Sequence, residues 1–190
     1  VFVAKFRGID GAHVWSRRFG SIGNESGRAV DVDAAGDIFL TGDFEGTADF
    51  GGVTATSFGY LDAFIVKCSG ADGSGIWASR WPGMGNDTGF TLAVGPTGDV
   101  VFGGRSEWYG YGQWRAFYSI RDGATGVERY ADFHSHNGSD SVTTSVSLDG
   151  AGSVVYAGYF TGLINLGWTS FTSAGTGADV FVAKTLSGGW

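Results

Sequence analysis

The strongest constraint on the fold is a short strand-like sequence that returns along the chain. It reads Phe-Val-Ala-Lys from Phe2 and from Phe181, Phe-Ile-Val-Lys from Phe64, and Phe-Tyr-Ser-Ile in a weaker copy from Phe117. The copies are roughly 50 to 65 residues apart, a period typical of repeat proteins whose units pack on their neighbours. The chain is therefore predicted to hold three copies of one unit and the first strand of a fourth.

Each unit divides into short β-branched or aromatic segments bounded by Gly, Asp, Asn or Ser, and none has helical spacing of its apolar residues. We expect tight hairpin turns at Gly36-Asp37, Gly98-Asp99 and Gly152-Ser153, because glycine adopts the positive φ that such turns require. Four strands per unit predict an all-β fold of β-propeller blades, with about three four-stranded antiparallel repeats plus one extra strand.

The composition agrees with many short strands joined by turns. Glycine provides 35 of the 190 residues and proline only 2, while Phe, Trp and Tyr make up 15%. A disordered glycine-rich chain would lack so many core-forming rings. The predicted repeats are residues 1–63, 64–116 (a shortened copy), 117–180, and the first strand of a further copy in 181–190.

Two stretches resemble a known family. The run from Gly27 to Gly42, and Asp62-Ala63-Phe64-Ile65-Val66-Lys67, are similar to the SBBP-type β-propeller repeat of bacterial surface-associated and secreted proteins. The resemblance implies a propeller scaffold in an extracellular or cell-surface protein, and it supplies no catalytic residues. The second copy departs from the pattern by lacking an insert after Gly104, and the third by having Glu128 in place of a Trp.

Charge and hydropathy exclude several classes of function. The net charge is −7, and the 12 basic residues are scattered, which argues against nucleic-acid partners and anionic lipid surfaces. The sequence has no run of 18 apolar residues, so no membrane insertion is expected. Cys68 is the only cysteine, so we interpret it as an incidental thiol.

The best candidate binding site is an aromatic stretch in the shortened copy. It replaces the insert present in the first and third copies, and its candidate residues are Trp108, Tyr109, Tyr111, Trp114 and Arg115. Rings beside Gly, Gln and Arg can stack on sugars or anchor a protein partner. The alternative is that these rings only close the gap left by the shorter unit.

Aspartates in the first hairpin suggest a weak calcium candidate. Asp31, Asp33 and Asp37 place oxygen donors close together in sequence. No carboxylate set recurs at the equivalent positions of the other copies, and Asp31 and Asp33 fit a solvated strand edge equally well. We therefore expect no cofactor, with calcium as the remaining possibility.

A polar pair recurs in the link between units, as Asn24-Glu25, Asn86-Asp87 and Ser139-Asp140. An acid here can accept backbone N–H bonds and fix the crossover. The alternative is a ring of carboxylates that binds a cation or a basic partner. His134 and His136 lie on one side of an extended segment, but no third ligand at suitable spacing supports a zinc site.

We predict a non-enzymatic scaffold and binding module for a protein or glycan, since no catalytic constellation is evident. The alternative is a propeller enzyme of the lyase or hydrolase type with a site on the central axis. Three blades do not close a ring, so the chain is expected either to be a fragment of a longer array or to form a homodimer. The strand repeated at both ends favours the fragment.

Overall fold

A computed structural model describes residues 1–83, 85–107, 112–134, 139–167 and 169–185. All regular structure in these residues is β-strand. The strands, in chain order, are β1 (Phe2–Phe6), β2 (His13–Arg18), β3 (Glu25–Val32), β4 (Ile38–Phe44), β5 (Thr47–Asp49), β6 (Thr54–Thr56), β7 (Asp62–Cys68), β8 (Gly75–Arg80), β9 (Asp87–Val94), β10 (Asp99–Glu107), β11 (Trp114–Asp122), β12 (Glu128–His134), β13 (Ser141–Leu148), β14 (Val154–Phe160), β15 (Leu163–Leu166), β16 (Thr169–Thr172) and β17 (Asp179–Lys184). The prediction of an all-β chain is confirmed.

The strands form antiparallel sheets whose order mostly follows the chain. Two sheets have four strands, β3-β4-β7-β8 and β9-β10-β11-β12, and a third has the order β13-β14-β17. We call these sheets 1, 2 and 3. The pairs β1-β2, β5-β6 and β15-β16 form two-stranded sheets. The last two pairs occupy the inserts of the first and third copies.

In sheets 1, 2 and 3 the recurring strand is the third strand. It forms β7, β11 and β17, which pair with the second strand of sheets 1, 2 and 3, respectively. The predicted repeat limits at residues 64, 117 and 181 therefore lie within sheets. Each sheet combines the end of one sequence repeat with the start of the next.

The predicted hairpin glycines have the expected backbone. Gly36, Gly98 and Gly152 have φ of 84°, 87° and 82°, in the turns that join β3 to β4, β9 to β10 and β13 to β14. This left-handed conformation is readily available only to glycine. The turn prediction is confirmed at all three sites.

The described residues form three hydrophobic clusters between consecutive sheets. One joins the β1-β2 pair to sheet 1 through side chains such as Val3, Trp15 and Phe64. The next includes Trp81 and Phe117, whose rings stack with centroids 4.0 Å apart between sheets 1 and 2. Sheets 2 and 3 share the last cluster. The core is thus a series of similar junctions, each of which buries one face of a sheet against its neighbour.

Candidate binding surface

The first strands of sheets 1, 2 and 3 each contain a β-bulge at the same position. The extra residues are Arg28, Phe90 and Thr144, which the pairing of β3, β9 and β13 with their neighbours passes over. A bulge turns a side chain away from the ordinary alternation of a strand. Three equivalent bulges therefore present Arg28, Phe90 and Thr144 from edge strands that lie side by side.

Side chain to backbone hydrogen bonds join these edge strands. The amide of Val94 in β9 donates to Asp31 Oδ2 in β3 at 2.9 Å. The amide of Val146 in β13 donates to Thr91 Oγ1 in β9 at 3.3 Å. These bonds hold the bulged strands beside one another, so the surface that they present is pre-formed.

Cations and rings alternate along this surface. The guanidinium of Arg28 lies 5.1 Å from the ring centroid of Phe90, and that of Arg105 lies 5.6 Å from the same ring on β9. Arg105 also stacks on Trp114, 3.8 Å from its ring centroid. Contacts of this kind hold a guanidinium in place while leaving its N–H donors available. We call Arg28, Phe90, Arg105 and Trp114 the arginine–aromatic row.

The two arginines of the row differ in charge balance. Arg28 pairs with Asp43, with Nη2 to Oδ1 at 2.8 Å and Nε to Oδ1 at 3.0 Å. Arg105 forms no ion pair with any residue that the structure describes, and its Nε is buried without a hydrogen-bond partner among them. Arg105 is therefore the arginine of the row whose charge no carboxylate of those residues balances.

Only part of the predicted aromatic site can be placed. Trp108, Tyr109 and Tyr111 lie outside the described residues. Trp114 is half-buried in the row, and its amide donates to Asp140 Oδ1 at 2.8 Å. Arg115 is half-buried, and burial lowers the pKa of its guanidinium. Of the predicted residues, Trp114 belongs to the row.

The aspartates considered for calcium are engaged in other bonds. Asp31 links two sheets, as described above. Asp33 accepts from Lys67 Nζ at 2.9 Å and from the amide of Asp37 at 2.9 Å. Asp37 lies 3.3 Å from the same Lys67 ammonium and accepts from the amide of Gly70. The described residues contain no group of three or more His, Cys, Asp or Glu side chains that could hold a metal ion.

The acids of the three links have different partners. Glu25 accepts from the amide of Ser21 at 2.7 Å, which is the backbone-fixing role expected from the sequence. Asp140 has the same role toward Trp114. Asp87 differs, since both of its carboxylate oxygens are buried, and the Ser106 hydroxyl and the Glu107 amide lie beside them without forming a hydrogen bond of good geometry.

Asp87 forms part of a buried carboxyl pair that the sequence did not reveal. Asp62 is also fully buried, and its Oδ2 lies 3.3 Å from Arg80 Nη1. Burial, to which the nearby Asp62 carboxylate adds, raises the pKa of Asp87 to about 7. Burial likewise raises the pKa of Asp62. The two residues come from β7 and β9, in different sheets, so no spacing in the sequence indicates that their carboxyls influence each other.

The two other reactive groups considered in the sequence have packing roles. His134 is buried, and its ring stacks on Tyr156 with centroids 5.1 Å apart; His136 lies outside the described residues. Cys68 is fully buried, and burial, with the Asp37 carboxylate, raises the pKa of its thiol to about 12. The thiolate needed for a nucleophile is therefore strongly disfavoured.

Sequence signals for Arg28, Phe90 and Arg105 were weak. Each lies on an ordinary strand of mixed polarity. Arg28 and Phe90 owe their position to bulges, and a bulge depends on the pairing partner as well as on the strand that contains it.

No family model matches the chain, and no curated protein matches it. Among the described residues no helix is long and apolar enough to cross a membrane.

Proposed function

We propose that this protein is a non-enzymatic binding module, built from β-propeller blades similar to the SBBP-type repeat, that acts at the bacterial surface or outside the cell. It binds a protein or glycan ligand through carboxylate groups on that ligand. The observation that carries the proposal is the arginine–aromatic row, with Arg105 held between Phe90 and Trp114.

The row has the features of a preorganised anion site. Arg105 contacts the rings of Phe90 and Trp114, so little side-chain entropy is lost when it binds. Its planar guanidinium matches a carboxylate in geometry. Because the whole chain carries a net charge of −7, binding depends on this local arrangement and not on a general attraction for anions.

The blade arrangement is supported by the topology. Sheets 1 and 2 each have four antiparallel strands in chain order, and each successive sheet packs its first strand against the sheet before it. That is the stacking expected of propeller blades. An extracellular location follows from the family resemblance alone.

An enzyme remains the weaker alternative. Its best acid–base group is Asp87, whose pKa of about 7 would suit proton transfer. Both Asp87 and Asp62 are fully buried, however, so neither reaches a substrate at the surface. The geometry favours binding.

Isothermal titration calorimetry with three probes tests the proposal: hexagalacturonate, a hexaglutamate peptide and uncharged cellohexaose. We expect the two acidic probes to bind, the neutral one not to bind, and affinity to fall as salt is raised. Arg105→Gln is expected to weaken binding at least about tenfold, because charge-assisted hydrogen bonds contribute about 1.5–3 kcal/mol.

The matched control is Arg129→Gln. Arg129 is an exposed arginine that pairs with Asp99 and Asp122 and lies outside the row. Unchanged affinity in Arg105→Gln, or an equal loss in Arg129→Gln, would contradict the site. Circular dichroism of both variants verifies that they are folded.

A further inference from the structure

Two exposed aromatic side chains lie in the loop between β6 and β7. Phe58 and Tyr60 are 72% and 79% exposed, and Gly59 separates them in the sequence. Rings that are this exposed add little to a hydrophobic core, and two of them in one short loop indicate a binding surface. We call residues 57–61 the aromatic loop.

Hydrogen bonds fix the backbone of the aromatic loop. The Ser57 amide donates to the Gly46 carbonyl oxygen at 2.8 Å, and the Gly46 amide donates to Ser57 Oγ at 2.8 Å. The Phe58 amide donates to Oδ2 of the buried Asp62 at 2.8 Å. The loop is therefore shaped before a ligand binds, which lowers the entropy cost of binding.

The third copy has the same kind of loop without the rings. Between β16 and β17 the Ala174 amide donates to Asp179 Oδ2 at 2.8 Å, as the Phe58 amide donates to Asp62. Residues 173–178 read Ser-Ala-Gly-Thr-Gly-Ala and include no aromatic residue. Because the same hydrogen bond forms with alanine in place of Phe58, the fold of the loop does not require the rings.

Arg80 orients one of the two rings. Its guanidinium lies 5.6 Å from the ring centroid of Phe58, and its Nη1 lies 3.3 Å from Asp62 Oδ2. The charge of Arg80 is thus balanced by Asp62. The aromatic loop therefore offers apolar ring surface to a ligand and not an unbalanced charge.

The aromatic loop lies close to the arginine–aromatic row. The carbonyl oxygen of Leu61, at the end of the loop, accepts from the Asp87 amide at 2.7 Å. Thr88, the next residue, lies opposite Arg105 in the pairing of β9 with β10. These steps place the Cα atoms of Tyr60 and Arg105 at most about 20 Å apart. One elongated ligand can therefore contact both surfaces.

We propose that the ligand is an acidic glycan that binds Arg105 through a carboxylate and stacks another of its sugar rings on Phe58 and Tyr60. This inference rests on the proposed function, in which the ligand carries carboxylates, and it selects a glycan over a protein. A sugar ring has an apolar face that can cover an aromatic ring while its hydroxyls stay hydrated at the edge. Two aromatic side chains bury at most about 500 Å², below the roughly 800 Å² that each partner of a stable protein complex contributes.

Tight binding requires both contacts. Stacking on two side chains, without a charge-assisted hydrogen bond at Arg105, is too weak to offset the entropy cost of association. Uncharged cellohexaose is therefore still expected not to bind. A hexaglutamate peptide reaches Arg105 but has no ring to place on the aromatic loop, so it uses the row alone.

Isothermal titration calorimetry of the double variant Phe58→Ala/Tyr60→Ala tests the inference. We expect affinity for hexagalacturonate to fall at least about tenfold and affinity for hexaglutamate to stay within about twofold. The matched control is Phe171→Ala, since Phe171 is 51% exposed and lies outside the loop and the row. Unchanged affinity for hexagalacturonate, or an equal loss for hexaglutamate, overturns the inference.

The length of the oligomer provides a second test. Digalacturonate is too short to join Arg105 to Tyr60, so the unchanged protein should bind it more weakly than hexagalacturonate. The double variant should lose most of this gain in affinity with length. A gain that the double variant retains in full would show that the longer chain does not use the aromatic loop.

The inference and the proposed function fail in different ways. If Arg105→Gln weakens binding of both acidic probes and the double variant weakens neither, carboxylate binding stands and the glycan assignment is wrong. If Arg105→Gln changes neither affinity, the proposed function is wrong and the inference fails with it. Circular dichroism verifies folding, and Tyr60→Ala alone, which keeps the contact between Phe58 and Arg80, is a second variant with the same expected direction.

Discussion

Trp15 donates its indole Nε1–H to the carbonyl oxygen of Gly70 at 3.2 Å, across the junction between the β1-β2 pair and sheet 1. The next junction repeats the bond, from Trp77 to Gly123, at the same 3.2 Å. A turn glycine lies against each indole, and a Cβ on Gly73 would come within 2.7 Å of the Trp15 ring. The same ring, bond and turn thus join successive sheets.

Replacing Trp77 by phenylalanine is expected to destabilise the protein more than replacing Trp15. Trp77→Phe keeps a ring but removes the indole donor to the Gly123 carbonyl, which costs about 1 kcal/mol. Trp15→Phe is expected to cost less, because the Gly70 carbonyl still accepts from the Lys5 ammonium. Urea unfolding followed by circular dichroism measures the loss. Stability within error of the unchanged protein in both variants would show that the bond makes no net contribution.

Stability is expected to fall as pH rises through the range in which Asp87 ionises. Its pKa is about 7 in the folded protein against 3.8 unfolded, so the folded state binds the proton more tightly between those values. The contribution is fully present below about pH 4 and is lost by about pH 7, on the order of 4 kcal/mol.

Asp87→Asn isolates this contribution, because the amide does not ionise. The difference in unfolding free energy between the unchanged protein and the variant, measured from pH 4 to pH 8, should decline and then level off. A difference that is independent of pH would contradict the assignment. Taking this difference cancels the pH dependence that other carboxyls contribute to both proteins, such as that of Asp122, whose pKa is lowered.

The two lysine–aspartate pairs should differ in coupling because they differ in burial. The side chains of Lys67 and Asp33 are 10% and 15% exposed, whereas Lys184 and Asp149 are 53% and 32% exposed. Double-mutant cycles with alanine should give at least about 1 kcal/mol for the first pair and below about 0.5 kcal/mol for the second. Equal couplings would mean that burial does not set the strength of this pair.

Cys68 is expected to resist thiol reagents in the folded protein. It is fully buried and its pKa is raised to about 12, so both access and thiolate formation are suppressed. Ellman's reagent at pH 8 should react on the timescale of unfolding, and rapidly once urea unfolds the chain. Fast reaction without denaturant would place the thiol at the surface.

The sequence predicted the strand content well because strands and turns leave local signals. The segments around Phe64 and Phe117, and the turn glycines Gly36 and Gly98, are each recognisable within a few residues. The position of the recurring strand within its sheet could not be predicted from the few residues around it. It depends on which strands pair, and a repeat can be divided at any point without changing its period.

The candidate site was harder to predict for the same reason. Trp114 was a candidate because of its aromatic neighbours, whereas Phe90 and Arg28 owe their position in the row to bulges opposite β10 and β4. The influence of Asp62 on Asp87 arises where two sheets meet, and no residue pattern that repeats along the chain indicates it.

The recurrence of the tryptophan-to-glycine bond bears on how such a chain can change over generations. A junction made of the same parts each time can be copied with the DNA that encodes one repeat, and the new unit finds a matching surface on both sides. Sheet 2, with Ile120 and Gly95 in place of the ion pair, packs between its neighbours without this paired feature. The number of repeats and the side chains within each repeat can therefore change independently in a chain of this design.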